Sequence, residues 1–252
     1  MSGHPRPRLF CFHHAGAGVS SFARWQRVFG EHREVMPVLL PGRDARAAEP
    51  RITDPGELTA ELLSTLGPLL DRPYALYGHS LGALVAHTLT RAVGARGLRE
   101  PGFVVLGAAL PPHLPSPLLP AAFPPDHELL RRLVAQGQLP RAALTEGEGG
   151  VWHRRALPVI RDDLKLAAAL REAGGGPLRV PVLAVAGRDD AVAPVRQVEQ
   201  WRSYTSAGFA LRTIPGDHFF VRGERLPRLL AEELDAWPYI SPAAVRPKSS
   251  SV

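Results

Sequence analysis

The chain has 252 residues, 45% hydrophobic and 21% charged, with a formal net charge of +6, the balance of a globular protein with one sizeable core. No apolar run approaches the roughly eighteen residues of a membrane span, and the amino terminus, MSGHPRPRLF, lacks the basic start and apolar segment of a secretion signal; a cytoplasmic protein with no membrane association is expected. The single cysteine, Cys11, excludes an internal disulfide, and arginines scattered without a basic run between aromatics speak against nucleic acid while permitting another acidic partner.

Six apolar runs of strand length punctuate the chain. The first, LFCFHH at 9–14, holds Cys11 as a small buried hydrophobe and leads into AGAGVSSF, a loop of small residues that can hardly pack. Such a loop suits a backbone that must come close to something. VMPVLL at 35–40 is the second run, and DPGELTAELLSTLGPLL at 54–70 has the pattern of a helix. YALYG at 74–78 and FVVLGAA at 103–109 flank a second helical stretch, LGALVAHTLTRAVG at 81–94. VPVLAVAG at 180–187, FALRTIP at 209–215 and a last helix over 224–237 complete the series. Strand alternating with helix means α/β, and nearly continuous apolar runs predict strands buried on both faces of a mostly parallel sheet.

The rhythm breaks between about Pro111 and Gly176. Proline-laden at its start, this region shows helical patterns at HELLRRLVAQGQL and LPVIRDDLKLAAALREA but no strand, and it exceeds an ordinary connection. It predicts a mostly helical insertion (111–176) between two parts of one core (1–110 and 177–240). The remainder, 241–252, reads as a solvated tail.

The densest chemical signal is YALYGHSLGALVAH. A strand ends, Gly78-His79-Ser80-Leu81-Gly82 follows, and a helix begins at once: a G-x-S-x-G turn whose glycines permit the strain that lifts the serine above the sheet. A serine hydroxyl needs a base held by a third group. In this arrangement the partners follow in the order serine, acid, histidine. Asp189 and Asp190 stand after the strand in VLAVAGRDD, and His218 stands after the last one in IPGDHFFV.

The set FCFHHAGAG, LLPGRDAR, YGHSLGALVAH, AGRDD and IPGDHFFV resembles the type II thioesterases, stand-alone α/β-hydrolases that accompany modular polyketide and nonribosomal peptide synthetases. The resemblance covers roughly residues 8–235. It implies an α/β-hydrolase fold with a helical lid, and a catalytic triad of Ser80 as nucleophile, His218 as base and acid, and an aspartate of the 189–190 pair. Asp190 is favoured by the register of Gly187, Asp190 and Pro194, with Asp189 the alternative. Oxyanion donors are expected in the backbone N–H of Leu81, which follows the nucleophile, and of Ala15 in the His-Ala-Gly loop. The family more often has proline where this chain has His13. The expected substrate is an acyl group on the phosphopantetheine arm of an acyl or peptidyl carrier protein, cleared by a monomer that needs no cofactor of its own. Product release with the same machinery, a broad carboxylester hydrolase, and a silent synthase-binding protein are the alternatives.

Other residues have plainer readings. His13 and His14 are adjacent, so as strand residues they would point to opposite faces, and the i, i+4 spacing of a helical zinc pair is absent; no metal is expected. His79 reads as a packing or hydrogen-bonding neighbour, and Arg43 and Arg46 as salt-bridge partners. Leu118, Leu119, Phe123, Leu129 and Leu133 are candidates either for an acyl channel or for core.

Overall fold

The computed structural model describes residues 6–119, 124–145 and 150–236; Phe123 and the 241–252 tail lie outside them. Six strands form one sheet: β1 (Arg8–Phe12), β2 (Glu34–Val38), β3 (Tyr74–His79), β4 (Val104–Gly107), β5 (Val182–Gly187) and β6 (Phe209–Ile214). All neighbouring pairs are parallel, in the order β2-β1-β3-β4-β5-β6. Among the described residues seven α-helices accompany them: α1 (Trp25–Phe29), α2 (Pro55–Leu66), α3 (Leu81–Ala95), α4 (Asp126–Ala135), α5 (Leu157–Glu172), α6 (Val195–Val198) and α7 (Arg225–Ala236).

Alternation along the strands sorts side chains to two cores. In β1, Phe10 and Phe12 face a core shared with α2 and α3, whereas Leu9 and Cys11 face one shared with α1 and α7. Strands β1, β3, β4 and β5 are buried along their whole length, as the apolar runs predict. The two edge strands depart from that expectation. β2 and β6 are largely half-buried or exposed, because each has a neighbour on one side only.

The strand order places a crevice. From β1 the chain steps outward to β2, then returns past β1 to lay down β3 and proceeds the other way to β4. The connections leaving β1 and β3 therefore part to opposite sides, and ligands of such sheets bind beyond the carboxyl ends at this switch point. Register keeps those ends level, with Phe12 opposite Gly78 and His79 opposite Gly107.

Between β4 and β5 no strand occurs among the described residues. Here Leu129, Leu130 and Leu133 of α4 pack with Leu157, Ile160 and Leu164 of α5 in a third, small core, and α5 also packs on α3. Leu129 and Leu133 thus belong to this core rather than to a channel.

Candidate active site

Ser80 sits between β3 and α3 with φ 55° and ψ −114°, a conformation that costs a non-glycine residue on the order of 1–3 kcal/mol and persists only when its surroundings impose it. They do so by crowding. A Cβ on Gly78 would overlap the carbonyl of Gly82, and a Cβ on Gly82 would overlap the carbonyl of Phe12, so α3 springs from the strand end with no room for side chains. The Ser80 N–H donates to the carbonyl of Gly107 at 2.8 Å, tying the turn to β4.

The side chains of His218 and Asp190 converge on this serine from the loops after β6 and β5. His218 Nε2 lies 3.1 Å from Ser80 Oγ, and its Nδ1 lies 2.9 Å from Asp190 Oδ2. With Nδ1–H donating to the carboxylate, Nε2 is free to accept from the serine hydroxyl. Asp190 Oδ1 accepts the backbone N–H groups of Val192 and Ala193 at 2.8 and 2.9 Å. Burial alone would raise the Asp190 pKa, but the His218 side chain and these two N–H donors outweigh it and hold the carboxyl below its usual value. Asp189 is exposed, and its N–H donates to the carbonyl of Gly216, lacing the two loops together. The structure therefore brings Asp190, and not the Asp189 side chain, to the histidine.

His79 fixes the histidine loop from below. Its Nε2–H donates to the His218 carbonyl at 2.7 Å, and its Nδ1 accepts from the Tyr77 hydroxyl at 2.7 Å. Complete burial, reinforced by His14 and His218, drives its pKa well below the ordinary imidazole value, so the ring stays neutral with its tautomer set by its partners. His14 packs edge-on against His79 and Phe219, and burial, then His13, Arg222 and His218, holds its pKa down to about 3. His13 and His14 lie beyond the end of β1, and both are buried. Among the described residues no three His, Cys, Asp or Glu side chains cluster as metal ligands would, and no helix is long and apolar enough to cross a membrane.

The loop after β1 runs beside the serine. Ala15 and Leu81 both line the cavity into which Ser80 opens, and among the described residues neither backbone N–H has a hydrogen-bond acceptor. The next N–H, that of Gly16, donates to Asp163 Oδ2 of α5 at 2.7 Å. Asp163 is engaged in turn by Arg43, Nη1 to Oδ2 at 2.7 Å and Nη2 to Oδ1 at 2.5 Å, with both side chains buried. Arg43 Nη1 also donates to the carbonyl of Ala17 at 3.1 Å. Arg46 is paired with Glu49 and Glu61 nearer the surface.

Asp163 was not visible from sequence motifs. It lies on the same face of α5 as Ile160, Leu164 and Ala167, so a carboxylate on the apolar stripe was the available signal. A buried charge of that kind requires a partner.

The cavity at Ser80 is small, about 40 Å³. Its walls include Leu84, Leu110, Leu118, Leu119 and Leu164, with Arg171 the one charged side chain there among the described residues. On the other side of Ala15 a second cleft runs past His14, Gln138, Trp152 and Phe219 to Arg222. Beyond it a groove carries Arg24, Arg27, Arg222 and Arg228.

A parallel sheet with a serine on a strained turn at its switch point, and an imidazole and a carboxylate brought to it from the two following strand ends, defines the chain as an α/β-hydrolase. Residues 7–237 match the family described as Thioesterase domain, and the chain belongs to that family; it is a hydrolase of thioesters. It is 33% identical over 227 residues to thioesterase PikA5 of Streptomyces venezuelae, covering 88% of this chain and 79% of that one. Among solved structures, the RedJ thioesterase of the prodiginine pathway in Streptomyces coelicolor superposes with a TM-score of 0.81 at 32% identity, covering 93% of this chain and 95% of RedJ. YbtT, described as a type II thioesterase of the yersiniabactin NRPS/PKS pathway, superposes with a TM-score of 0.77 at 25% identity, covering 95% and 96%.

Proposed function

We propose that the protein is a type II, editing thioesterase that hydrolyses aberrant or stalled acyl groups from the phosphopantetheine arm of acyl or peptidyl carrier proteins in polyketide or nonribosomal peptide biosynthesis. The observation that carries the reading is the continuous relay from Asp190 through His218 to Ser80, opening onto an apolar cavity. Ser80 Oγ attacks the thioester carbonyl as His218 Nε2 takes its proton, and the oxyanion is received by the N–H groups of Ala15 and Leu81. Collapse breaks the C–S bond, and His218 returns the proton to the departing thiol. Water, deprotonated by the same imidazole, then cleaves the acyl-enzyme. No cofactor bound to the chain enters these steps; the phosphopantetheine arrives with the substrate.

Editing, rather than release of a finished product, is favoured by the small volume of the cavity, about 40 Å³. Walled by leucines of α3, α5 and the 111–119 segment, it suits short acyl chains, and residues 111–176 then act as its lid. The exposed Arg24, Arg27 and Arg222, aligned along the groove that continues the second cleft, suit an acidic carrier docked by a monomeric enzyme.

The test is hydrolysis of acyl groups from acetyl to long-chain on a phosphopantetheinylated carrier, with wild type and Ser80→Ala in parallel. Broad release of short chains that the substitution abolishes is the expected result. Release of one long, elaborate chain alone would make product formation the better reading, and equal rates for both proteins would remove Ser80 from the chemistry.

A further inference from the structure

We infer that Asp163, held in place by Arg43, is a positioning residue for the oxyanion hole, so that the donor loop after β1 is set by a helix from the inserted segment. The inference rests on the proposed roles of Ser80 and Ala15, and adds to them the device that aims the Ala15 N–H.

Three contacts on one short stretch support it. Asp163 Oδ2 accepts the N–H of Gly16, the residue next to Ala15. Arg43 grips both oxygens of that carboxylate and also the Ala17 carbonyl, so the residues after Ala15 are held from the donor side and the acceptor side by one ion pair. Gly16 has φ 75°, and a Cβ there would overlap the Ile160 side chain of α5. The loop backbone thus lies directly against the helix, with no side chain to cushion a shift. The preceding residue is fixed as well, since His13 Nδ1–H donates to the His14 carbonyl at 3.0 Å.

Stability alone accounts poorly for this arrangement. Asp163 is 2% and Arg43 7% exposed, and a buried ion pair of this kind is often no more stabilising than apolar side chains of similar volume. What an apolar pair cannot supply is an acceptor for the Gly16 N–H. Oxyanion donors act through fixed geometry, and a displacement of about 1 Å is enough to cost on the order of 100-fold in rate. The carboxylate touches no reacting atom; it acts through the backbone.

Removing both charges keeps the fold free of an unpaired ion while abolishing the acceptor, which makes Asp163→Leu/Arg43→Met the informative variant. Its kinetics are measured on an acyl N-acetylcysteamine thioester. Inhibition is measured with two analogues of that acyl group: a trifluoromethyl ketone, which forms an anionic hemiketal on Ser80, and a thioether lacking the carbonyl. We expect kcat to fall about 10- to 100-fold with KM little changed. Trifluoromethyl ketone affinity should fall in parallel, and thioether affinity should stay within about 2-fold. Asp163→Asn, which retains an oxygen for Gly16, should recover part of both losses. It supplies the same two-inhibitor comparison if the double variant does not fold.

A folded variant whose kcat and trifluoromethyl ketone affinity both stay within about 2-fold of wild type overturns the inference, as does a loss of both inhibitors' affinities to the same extent. Failure of the underlying reading is seen separately, as wild-type turnover that survives Ser80→Ala.

Discussion

The two halves of the candidate site are held by different means. On the nucleophile side, Gly78, Ser80 and Gly82 lie within five residues, and the turn follows from close approaches between neighbouring backbone segments. On the oxyanion side, Gly16 is fixed by Asp163, 147 positions along the chain, itself gripped by Arg43 at a separation of 120. A site half determined locally and half determined by a distant ion pair should respond to perturbation in two distinguishable ways: changes near the serine remove chemistry, and changes near the loop misaim it.

The largest expected effect separates two adjacent carboxylates. Asp190→Asn keeps the shape but gives His218 Nδ1–H a weaker acceptor and favours the wrong tautomer, and kcat should fall by about 10⁴-fold. Asp189→Asn, exposed and joined to the site only through its backbone, should leave kcat within about 2-fold. Equal losses from the two substitutions would contradict the relay geometry.

Acid strikes both halves through buried imidazoles. His13, His14, His79 and His87 all have pKa values below the ordinary 6.5, chiefly through burial, with His14 near 3 and His87 near 4. The folded protein keeps them neutral while the unfolded chain takes up protons below about pH 6.5, so their contribution is intact above that pH and is lost as the pH falls towards each folded value. His14, His79 and His87 each contribute roughly 1 kcal/mol of destabilisation between pH 7 and 5.5, or about 3–4 kcal/mol together, and His13 acts in the same direction. Asp190, with its pKa depressed, adds a further loss only below the carboxylate range. Urea unfolding at the two pH values measures the sum, and an unchanged midpoint would mean that the rings are protonated in the native state.

The same local-against-distant division decides what could be read from the sequence. All six strands were legible because buried parallel strands are continuous apolar runs; the half-exposed character of β2 and β6 was not, since being at an edge depends on strand order. The approach of His218 and one aspartate of the 189–190 pair to Ser80 was readable from the order of three loops, each following an apolar run, whereas the preference for Asp190 rested on the family resemblance. Arg43 was visible as a salt-bridge candidate without its partner. Asp163 was invisible as a site residue, because nothing near it in sequence indicates that α5 meets the loop after β1. Leu118 and Leu119, in a turn at the edge of the small core, line the cavity, while Leu129 and Leu133 of α4 sit inside that core, a distinction that identical residue types do not encode.

Glycine substitutions sharpen the picture on the nucleophile side. Gly78→Ala drives a methyl into the Gly82 carbonyl, where backbone on both sides leaves nothing to yield, and should cost about 3 kcal/mol of stability together with most of the activity. Gly223, after β6, meets nothing closer than 3.5 Å around a Cβ and has an extended backbone with φ −91°. Gly223→Ala should therefore be neutral or stabilising by about 0.5–1 kcal/mol. Thermal melts of the two variants compare a glycine required by crowding with one that is not.

His79 joins the two ways of holding the site, since it belongs to the local turn yet reaches the His218 backbone across 139 positions. His79→Phe preserves an aromatic ring against Phe220, whose centroid lies 4.9 Å away, but leaves the His218 carbonyl and the buried Tyr77 hydroxyl without their partner. Two unmet polar groups, partly relieved by small shifts, should cost about 2 kcal/mol. With its carbonyl released, the His218 ring should drift from Ser80 and lower kcat about 10-fold. The oxyanion loop has no hydrogen bond to this ring, so the affinity of a thioether analogue should be unchanged. Stability lost without any change in kcat would mean that Asp190 alone suffices to hold His218, and that His79 serves only the packing beneath it.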